Sequence, residues 1–443
     1  METLPEGERL LAGSGGVPEG ERLLAGSGEA PDGERLLARL DELPGGRRLL
    51  AAATPATYLV GGAVRDLLLG RRPRELDVVV EGEAASLAAS LGAEPVEHRR
   101  FGTALVELPG GARIDVAGAR RERYTAPGAL PEVEPAPLAE DLLRRDFTVN
   151  AIALALAGER RGELRAAANA LEDLGGGRLR VLHEDSFRDD PTRLLRLARY
   201  RARLGFEIEA ETGRLAAAAV AGGALGTVSG ARLGAELRLA LAEPDAVAAL
   251  AALDELGVLR ALHPRLRCDA AVLRRGLSLL SGDGARPADR PELLLLAGVA
   301  LPLALRAGDD PGAEMAALLD RLEFPAADRD RATAAAIAAP ALVQELATAA
   351  PPSGLRELLR GVPPEGVALA GALGEAAAPV ARRWLGELRE VRLRIGGEDL
   401  LAAGVPQGPE IGRRLEETLR RRLDGELPDE REAQLRAATG GPL

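Results

Sequence analysis

Two carboxylates on one predicted strand give the first indication of chemistry in this sequence. Glu75 and Asp77 stand two residues apart in the run ELDVVV, where alternation places their side chains on the same face. Asp115, in the similar run ARIDVA, is a candidate third acid on a neighbouring strand. Magnesium prefers oxygen ligands and shares them with substrate phosphates, so these acids indicate Mg²⁺-dependent nucleotidyl transfer.

A glycine pair precedes these acids in the stretch GGAVRDLLLG. Gly61 and Gly62 follow the strand-like run YLV and come before a helical pattern, so backbone amides there and Arg65 can face a triphosphate. A tight turn beside a solvated strand edge has the same pattern without catalysis. The glycine pair and the two acids do not by themselves separate these interpretations.

The motif RRDFTVNAIA places charged and polar residues around an apolar anchor. Arg145, Asp146 and Asn150 surround Phe147 and Val149, which we predict to be core residues. Such a combination indicates the wall of a site. A salt-bridged domain edge is the alternative.

An arginine-rich helix is predicted in the run DDPTRLLRLARYRARLGF. Arg193, Arg196 and Arg199 recur at intervals of three and share one broad face, with Asp190 just ahead of them. A solvated basic helix is the alternative. The aromatic residues at the end of the run favour a helix that packs against the protein.

Composition limits the class of protein. The 443 residues are 46% hydrophobic and carry a net charge of -11, which fits several globular domains and argues against generic nucleic-acid coating. One cysteine allows no internal disulfide, and three histidines offer little for a zinc site. The acidic N-terminus does not resemble a signal peptide, and the apolar run at 294–306 is short and contains Pro302. We therefore expect a buried helix there, in a cytoplasmic protein.

The sequence pattern changes along the chain. Residues 1–53 contain three short repeats with a period of 13, rich in Gly, Pro and Glu, and we expect this segment to be disordered. From 58 to about 181, strand patterns in YLV, ELDVVV, TALVEL and ARIDVA alternate with helix patterns in AVRDLLLG and EAASLAASLG, which predicts an α/β domain. After 186, Ala/Leu/Arg runs separated by Pro and Gly predict helices alone.

Taken together, the motifs resemble the bacterial class of tRNA nucleotidyltransferases, the CCA-adding enzymes and their poly(A) polymerase relatives. YLVGGAVRDLLLG, ELDVVVEG, RRDFTVNAIA and SFRDDPTRLLRLARYRARLGF occur in the family's order within 58–212, and 393–415 resembles its tail more loosely. The resemblance implies an α/β head with the polymerase-β-like nucleotidyltransferase fold, a small mixed sheet plus helices, followed by all-α domains. The implied divisions are a catalytic head at 54–180, a nucleotide-binding neck at 181–245, a body at 246–385 and a tRNA-binding tail at 386–443.

The resemblance also implies a role for individual residues. Glu75 and Asp77 take the magnesium-binding positions, although the family usually has Asp at the first of them, and Asp115 is the third catalytic acid. The longer side chain of Glu75 can still reach a metal, so we expect activity. The implied nucleotide-binding residues are Gly61, Gly62, Arg65, Arg145, Asp146, Asn150, Asp190, Arg193, Arg196 and Arg199.

The activity implied by the resemblance is template-independent transfer of CMP and AMP from CTP and ATP to the 3′ end of tRNA. An enzyme that adds only the terminal A is the closest alternative, and a poly(A) polymerase is the next. CC-adding relatives lack a loop between the metal site and the RRDFT motif, whereas RRERYTAPGALPEVEPAPLAEDLL fills that interval here. A catalytically inactive tRNA-binding relative is the alternative from a different class, favoured only by Glu75. The phosphohydrolase domain of some relatives is not expected, because His263 has no partner histidine nearby.

Two further expectations concern recognition. Asp190 and Arg193 offer an acceptor and a donor that fit the pairing edges of cytosine and adenine, whereas guanine and uracil present the reverse order. Arg413 and Arg414, on the C-terminal helices of an acidic protein, predict contacts with tRNA phosphates. Solvated helix faces are the alternative for this second pair.

Overall fold

The chain falls into two compact units. The first comprises residues 1–193 and 204–227, and the second comprises 194–203 and 228–443, so the neck predicted at 181–245 is divided between them. No helix in the described ranges is both long and apolar enough to cross a membrane. The computed structural model describes residues 32–92, 96–98, 103–108, 111–282, 285–305, 312–348 and 350–440.

The described strands all lie in the first unit. They are β1 Thr57–Val60, β2 Leu76–Val80, β3 Val96–His98, β4 Thr103–Glu107, β5 Arg113–Gly118, β6 Arg120–Arg123, β7 Glu132–Pro135, β8 Ile152–Ala155, β9 Leu164–Ala166, β10 Arg178–Leu179 and β11 Glu207–Ile208. The main sheet has the order β3-β4-β5-β2-β1-β8-β9. β6 and β7 form a separate hairpin, and β10 pairs with β11.

The main sheet is mixed, as the resemblance implies. β2 and β5 are parallel, whereas β1 runs antiparallel to both of its neighbours, β2 and β8. β1 and β8 are buried along their whole length, and each has a neighbouring strand on both sides. The predicted strands in YLV, ELDVVV, TALVEL and ARIDVA are confirmed. Phe147 and Val149 are confirmed as core residues, each with 0% exposure.

Helices surround the sheet in the first unit. They are α1 Gly33–Asp41, α2 Gly46–Ala52, α3 Gly62–Leu68, α4 Ala84–Ser90, α5 Leu138–Leu143, α6 Ala170–Gly175, α7 Ser186–Asp189, α8 Arg193–Leu204 and α9 Ala210–Ala221. Residues 194–203 of α8 belong to the second unit. The helices predicted in AVRDLLLG and EAASLAASLG correspond to α3 and α4.

Helices α1 and α2 correct the expectation of disorder for part of the segment 1–53. Asp32 caps α1 by accepting a hydrogen bond from the backbone N of Glu34 at 3.0 Å. The segment is rich in Gly and Pro, but it also contains leucines that are buried in the folded protein. Residues 1–31 lie outside the described part of the chain. The buried leucines are Leu36, Leu37, Leu40 and Leu49.

The second unit is helical throughout its described residues, as predicted. Its α14 confirms the buried helix expected in the run from 294, and it accommodates Pro302. The one departure after 186 is β11 in the first unit, where Gly205 adopts a φ of 70° and redirects the chain after α8. After α8, the helices are α10 Gly230–Leu241, α11 Ala246–Glu255, α12 Val258–Leu262, α13 Ala270–Leu280, α14 Pro291–Ala304, α15 Ala313–Arg321, α16 Ala326–Ala347, α17 Pro352–Leu358, α18 Pro364–Leu373, α19 Ala378–Gly386, α20 Gly397–Ala402, α21 Pro409–Leu423 and α22 Arg431–Thr439.

Candidate active site

The three predicted acids lie together in the structure. Asp77 and Asp115 occupy opposed positions of the parallel pair β2–β5, and Glu75 directly precedes β2. One carboxylate oxygen of each lies within 4.8 Å of the other two. Oxygen ligands of a small divalent cation stand about 2.1 Å from it and so about 4.2 Å apart at most. A small contraction would therefore bring all three onto one ion, and the longer Glu75 reaches the cluster.

The electrostatics of this cluster also favour a cation. Burial raises the pKa of Asp77 to about 6, opposed by Arg145 and reinforced by the neighbouring charges of Asp115 and Glu75. Burial and the charge of Glu75 likewise raise the pKa of Asp115. Acids that repel one another at this spacing fit a divalent metal ion, the kind of cofactor that the sequence resemblance implies.

The turn between β1 and α3 requires glycine. Gly61 has a φ of 66°, and its backbone N donates to the carbonyl of Ile152 at 3.0 Å. A Cβ at this position would lie only 2.7 Å from Nη1 of Arg145. The guanidinium of Arg145 thus lies directly over the turn, and Gly62 opens the following helix.

Arg65 is buried beneath this turn and joins two of the predicted motifs. Its Nη1 donates to Oδ1 of Asn150 at 2.6 Å, and its Nε donates to Oδ1 of Asp66 at 2.9 Å. Nδ2 of Asn150 in turn donates to Oδ1 of Asp146 at 2.9 Å. The structure therefore brings Arg65, Asn150 and Asp146 together. Contact of Arg65 with a triphosphate stays a prediction.

Asp141 is the residue that sequence reasoning missed in this region. It is fully buried and accepts from Nη2 of Arg145 at 2.9 Å and from Nη2 of Arg144 at 2.8 Å. Burial raises the pKa of Asp141, but the two arginines outweigh it and hold the pKa below its usual range. The spacing of an acid three and four residues before an arginine pair is the signal that points to it.

Asp190 and Arg193 are close in sequence, but each has partners within the first unit. Oδ1 of Asp190 accepts from the Thr192 hydroxyl at 2.6 Å. Arg193 is buried, and it donates to the Ser186 hydroxyl at 2.7 Å and to the carbonyl of Arg144 at 2.8 Å. Arg193 is thereby tied to the RRDFT motif. Selection of a base by Asp190 and Arg193 stays a prediction.

Arg196 and Arg199 belong to the second unit, unlike Arg193. Arg199 is buried and forms ion pairs with Glu236 at 3.3 Å and Glu243 at 3.4 Å. Arg196 is partly buried on the same helix. The structure thus shows Arg199 in a packing role, and nucleotide contacts by either residue stay predictions.

The interval before the RRDFT motif is a structured hairpin. The backbone N of Gly128, at its tip, donates to the carbonyls of Arg188 at 3.2 Å and Asp189 at 3.3 Å. A Cβ at Gly128 would lie 2.2 Å from the Thr227 hydroxyl oxygen, and its φ is 70°. The hairpin tip is therefore held closely against the residues that precede Asp190.

The two predicted tRNA-binding arginines of the tail both pair with Glu410. Arg413 and Arg414 each donate to its carboxylate at 2.6 Å, and the side chain of Arg413 is 74% exposed. Their contact with tRNA stays a prediction. The structure does not bring them to the groove described next.

A second group of arginines lines a groove of about 690 Å³ in the second unit. Arg356, Arg360 and Arg392 line it together with Trp384. Burial and the charges of Arg392 and Arg360 lower the pKa of Arg356, which makes no ion pair or hydrogen bond with any residue that the structure describes. Sequence reasoning missed this cluster because Arg392 is separated in sequence from Arg356 and Arg360.

Comparison with known proteins identifies the family. Residues 57–180 match the family described as the Poly A polymerase head domain, and 205–269 match the probable RNA and SrmB-binding site of polymerase A. The CC-adding tRNA nucleotidyltransferase of Deinococcus radiodurans is 35% identical over 395 residues, which cover 86% of this chain and 89% of that protein. This chain belongs to the tRNA nucleotidyltransferase and poly(A) polymerase family.

Other members of the tRNA nucleotidyltransferase family match this chain over different lengths. The A-adding tRNA nucleotidyltransferase of Geobacter sulfurreducens is 45% identical over 213 residues, which are 47% of this chain and 24% of that protein. The chain thus spans about a quarter of the length of that relative. A solved CCA-adding enzyme in its apo form II has a TM-score of 0.76 at 30% identity and covers 92% of this chain and 98% of its own. The predicted fold class is thereby confirmed.

Proposed function

We propose that this chain transfers CMP and AMP from CTP and ATP to the 3′ end of tRNA without a template, in the cytoplasm, and so builds or repairs the CCA terminus. The observation that carries the proposal is the carboxylate cluster of Glu75, Asp77 and Asp115. It lies within electrostatic reach of Arg145, whose guanidinium covers the glycine turn at Gly61. Acids for a cation and an arginine for phosphates are the parts that nucleotidyl transfer requires.

The residues of the head have separate tasks in this reaction. The 3′ oxygen of tRNA attacks the α-phosphorus of the nucleotide, and the bond to pyrophosphate breaks. Glu75, Asp77 and Asp115 would hold Mg²⁺, which when bound would activate the hydroxyl and stabilise the leaving group. Arg145 adds positive charge where the phosphates lie, and its bond to Asp141 fixes its orientation.

The choice of nucleotide is assigned to Asp190 and Arg193. An aspartate that accepts and an arginine that donates match the amino group and ring nitrogen of both cytosine and adenine. Guanine and uracil would set a carbonyl against the aspartate and an N–H against the arginine, and sites built for hydrogen bonds reject such mismatched ligands by about 10⁴-fold. The ties of Arg193 to Ser186 and Arg144 hold it in place for this selection.

Two narrower activities are favoured by specific relatives. The Geobacter relative is named as A-adding, and the Deinococcus relative, which matches most of this chain, is named as CC-adding. Against the second, the hairpin β6–β7 occupies the interval in which, by the family resemblance, CC-adding enzymes are expected to lack a loop. A poly(A) polymerase and an inactive tRNA-binding relative are the remaining alternatives.

Single-nucleotide incorporation separates these activities. Transcripts of tRNA that lack CCA, lack CA, or lack only the terminal A are each incubated with one labelled nucleotide and Mg²⁺. We expect C on the first two and A on the third. Parallel reactions with Mn²⁺ or Ca²⁺ test the choice of metal, and Asp77→Asn protein is the matched inactive control.

Each other result identifies a different activity. A on the third transcript alone indicates an A-adding enzyme, and C on the first two without A on the third indicates a CC-adding enzyme. Long A tracts on unrelated RNA indicate a poly(A) polymerase. Binding of tRNA without any incorporation indicates the inactive relative, and comparable use of GTP or UTP contradicts the roles of Asp190 and Arg193.

A further inference from the structure

Helices α1 and α2 are copies of one short sequence, P-x-G-x-R-L-L-A. The copy in α1 covers residues 31–38, and the copy in α2 covers 44–51, which is 13 residues later. Two identical upstream copies, PEGERLLA, stand at 5–12 and 18–25 with the same spacing. The sequence therefore repeats, upstream, a segment that the structure shows folded against the head.

The glycine of the repeated sequence lies at a close approach of two backbones in both helices. A Cβ at Gly33 in α1 would lie 1.8 Å from the carbonyl oxygen of Gly162 in the head. A Cβ at Gly46 in α2 would lie 1.7 Å from the carbonyl oxygen of Leu40. No other residue type fits either position without movement of the backbone.

The other residues of α1 that recur in the upstream copies also lie against the head. Leu36 and Leu37 are buried, with 0% and 1% exposure. Glu34 accepts from Nη1 of Arg161 at 2.6 Å. Both upstream copies contain the same Gly, Glu, Leu and Leu at these positions, so they carry the residues through which this part of α1 docks.

The upstream copies lack the features that strengthen α1 further. Arg39 donates to the carbonyl of Leu67 in α3 at 3.2 Å, and Leu40 is fully buried, but Gly and Ser follow the upstream copies instead. Asp32 caps α1, whereas Glu stands at that position upstream. The copy at 31–38 therefore has more contacts with the head than either upstream copy could make.

We propose that the surface of the head that holds α1 is an exchangeable docking site, and that its second occupant is the upstream repeat segment 5–25 of the same chain. Replacing the copy at 31–38 by the copy at 18–25 lengthens the connection to α2 by 13 residues. The entropic cost of such a longer loop grows only with the logarithm of its length. The exchange would remove the contact of Arg39 with Leu67 in α3, the helix that begins beside the nucleotide site.

Thermal unfolding of full-length variants tests the exchange. Leu36→Ala with Leu37→Ala weakens the copy in α1, and alanine at the four upstream leucines, Leu10, Leu11, Leu23 and Leu24, removes the alternative. We expect the upstream change alone to leave the midpoint unaltered. Combined with the α1 change, it should lower the midpoint well beyond the effect of the α1 change alone. If the double α1 variant does not fold, Leu37→Ala alone replaces it.

Matched controls make the result specific to docking. Arg35 is exposed on α1, so alanine at its upstream counterparts, Arg9 and Arg22, should not alter the midpoint in either background. The proposal is overturned if the α1 change lowers the unfolding midpoint by the same amount with and without the upstream leucines. Protection that rises with protein concentration, with a dimer in light scattering, also overturns it, because the occupant would then be a second copy of the chain.

Discussion

Two carboxylates in the first unit, Asp77 and Asp141, are both withdrawn from water yet have opposite pKa shifts. Burial raises the pKa of Asp77 to about 6, and the acids around it add to the shift. Asp141 is fully buried, but Arg144 and Arg145 outweigh its burial and lower the pKa. Burial raises the pKa at both sites, so the difference comes from the arginines: those paired with Asp141 outweigh its burial, whereas Arg145 only partly offsets the burial of Asp77 and the charges of the two neighbouring acids.

This difference separates a structural site from a binding site. The chain has 57 basic residues, all of them arginine, and it places two of these against Asp141. At Asp77 it places two more acids instead. Asp141 pairs with arginines of the protein and orients them. The acids around Asp77 lie beside one another, so their negative charge favours binding of a cation from solution.

The largest expected effect comes from removing the charge at Asp77. Asp77→Asn should abolish nucleotide incorporation, with a loss of about 3 kcal/mol or more in transition-state stabilisation, while tRNA binding survives. Labelled-nucleotide incorporation and a tRNA binding assay measure the two quantities. Glu107→Gln, at an exposed acid of the same sheet, is the matched control and should retain activity. Near-normal turnover by folded Asp77→Asn protein would exclude this site as the catalytic centre.

The corresponding change at Asp141 should act on stability first. Asp141→Asn removes the buried negative charge that pairs with Arg144 and Arg145, and breaking a buried pair costs about 3–5 kcal/mol in the free energy of unfolding. Urea denaturation measures this loss. The surface pair of Asp41 with Arg47 is the control, since its replacement should not measurably change stability. Because Asp141 also orients Arg145, the KM for nucleotide should rise, and an unchanged KM would contradict that positioning role.

The same contrast applies to the arginines of the second unit and predicts a smaller effect. The side chain of Arg356 makes no hydrogen bond or ion pair with the described residues, whereas Arg413 is paired with Glu410. We expect Arg356→Ala to weaken tRNA binding and to reduce the salt slope of log K by about 1, because one phosphate contact is lost. Arg413→Ala should change both less. A double variant, Arg413→Ala with Arg414→Ala, completes the test. If neither it nor Arg356→Ala alters the affinity for tRNA or its salt slope, this part of the chain does not contact tRNA.

The site residues that could be predicted from the sequence are those whose spacing follows the geometry of a single helix or strand. Glu75 and Asp77 follow the alternation of a strand, and the parallel register then brings Asp115 opposite Asp77. Arg356 and Arg392 could not be predicted, because only tertiary packing brings their separate segments to one groove. Helix α1 was missed for a different reason, since composition suggested disorder while docking on the head stabilises the helix.

The finest test of the comparison is the pH dependence of stability, where Asp77 and Asp141 should show slopes of opposite sign. An unfolded aspartate has a pKa of about 3.9. The folded pKa of Asp77 is about 6, so between these values the folded state holds more protons, and its stability falls as pH rises. The folded pKa of Asp141 lies below its usual value, so its contribution is present above about pH 4 and is lost as pH falls through the folded pKa. In metal-free buffer, the stability of the wild type relative to Asp77→Asn should therefore decline from about pH 4 to 6, and relative to Asp141→Asn it should decline only below about pH 4.

Mg²⁺ should remove the pH dependence at Asp77 and leave the one at Asp141, because of these two sites it is the acids around Asp77 that are short of positive charge. Slopes of the same sign, or a Mg²⁺ effect on both, would show that the two carboxylates do not differ in this way.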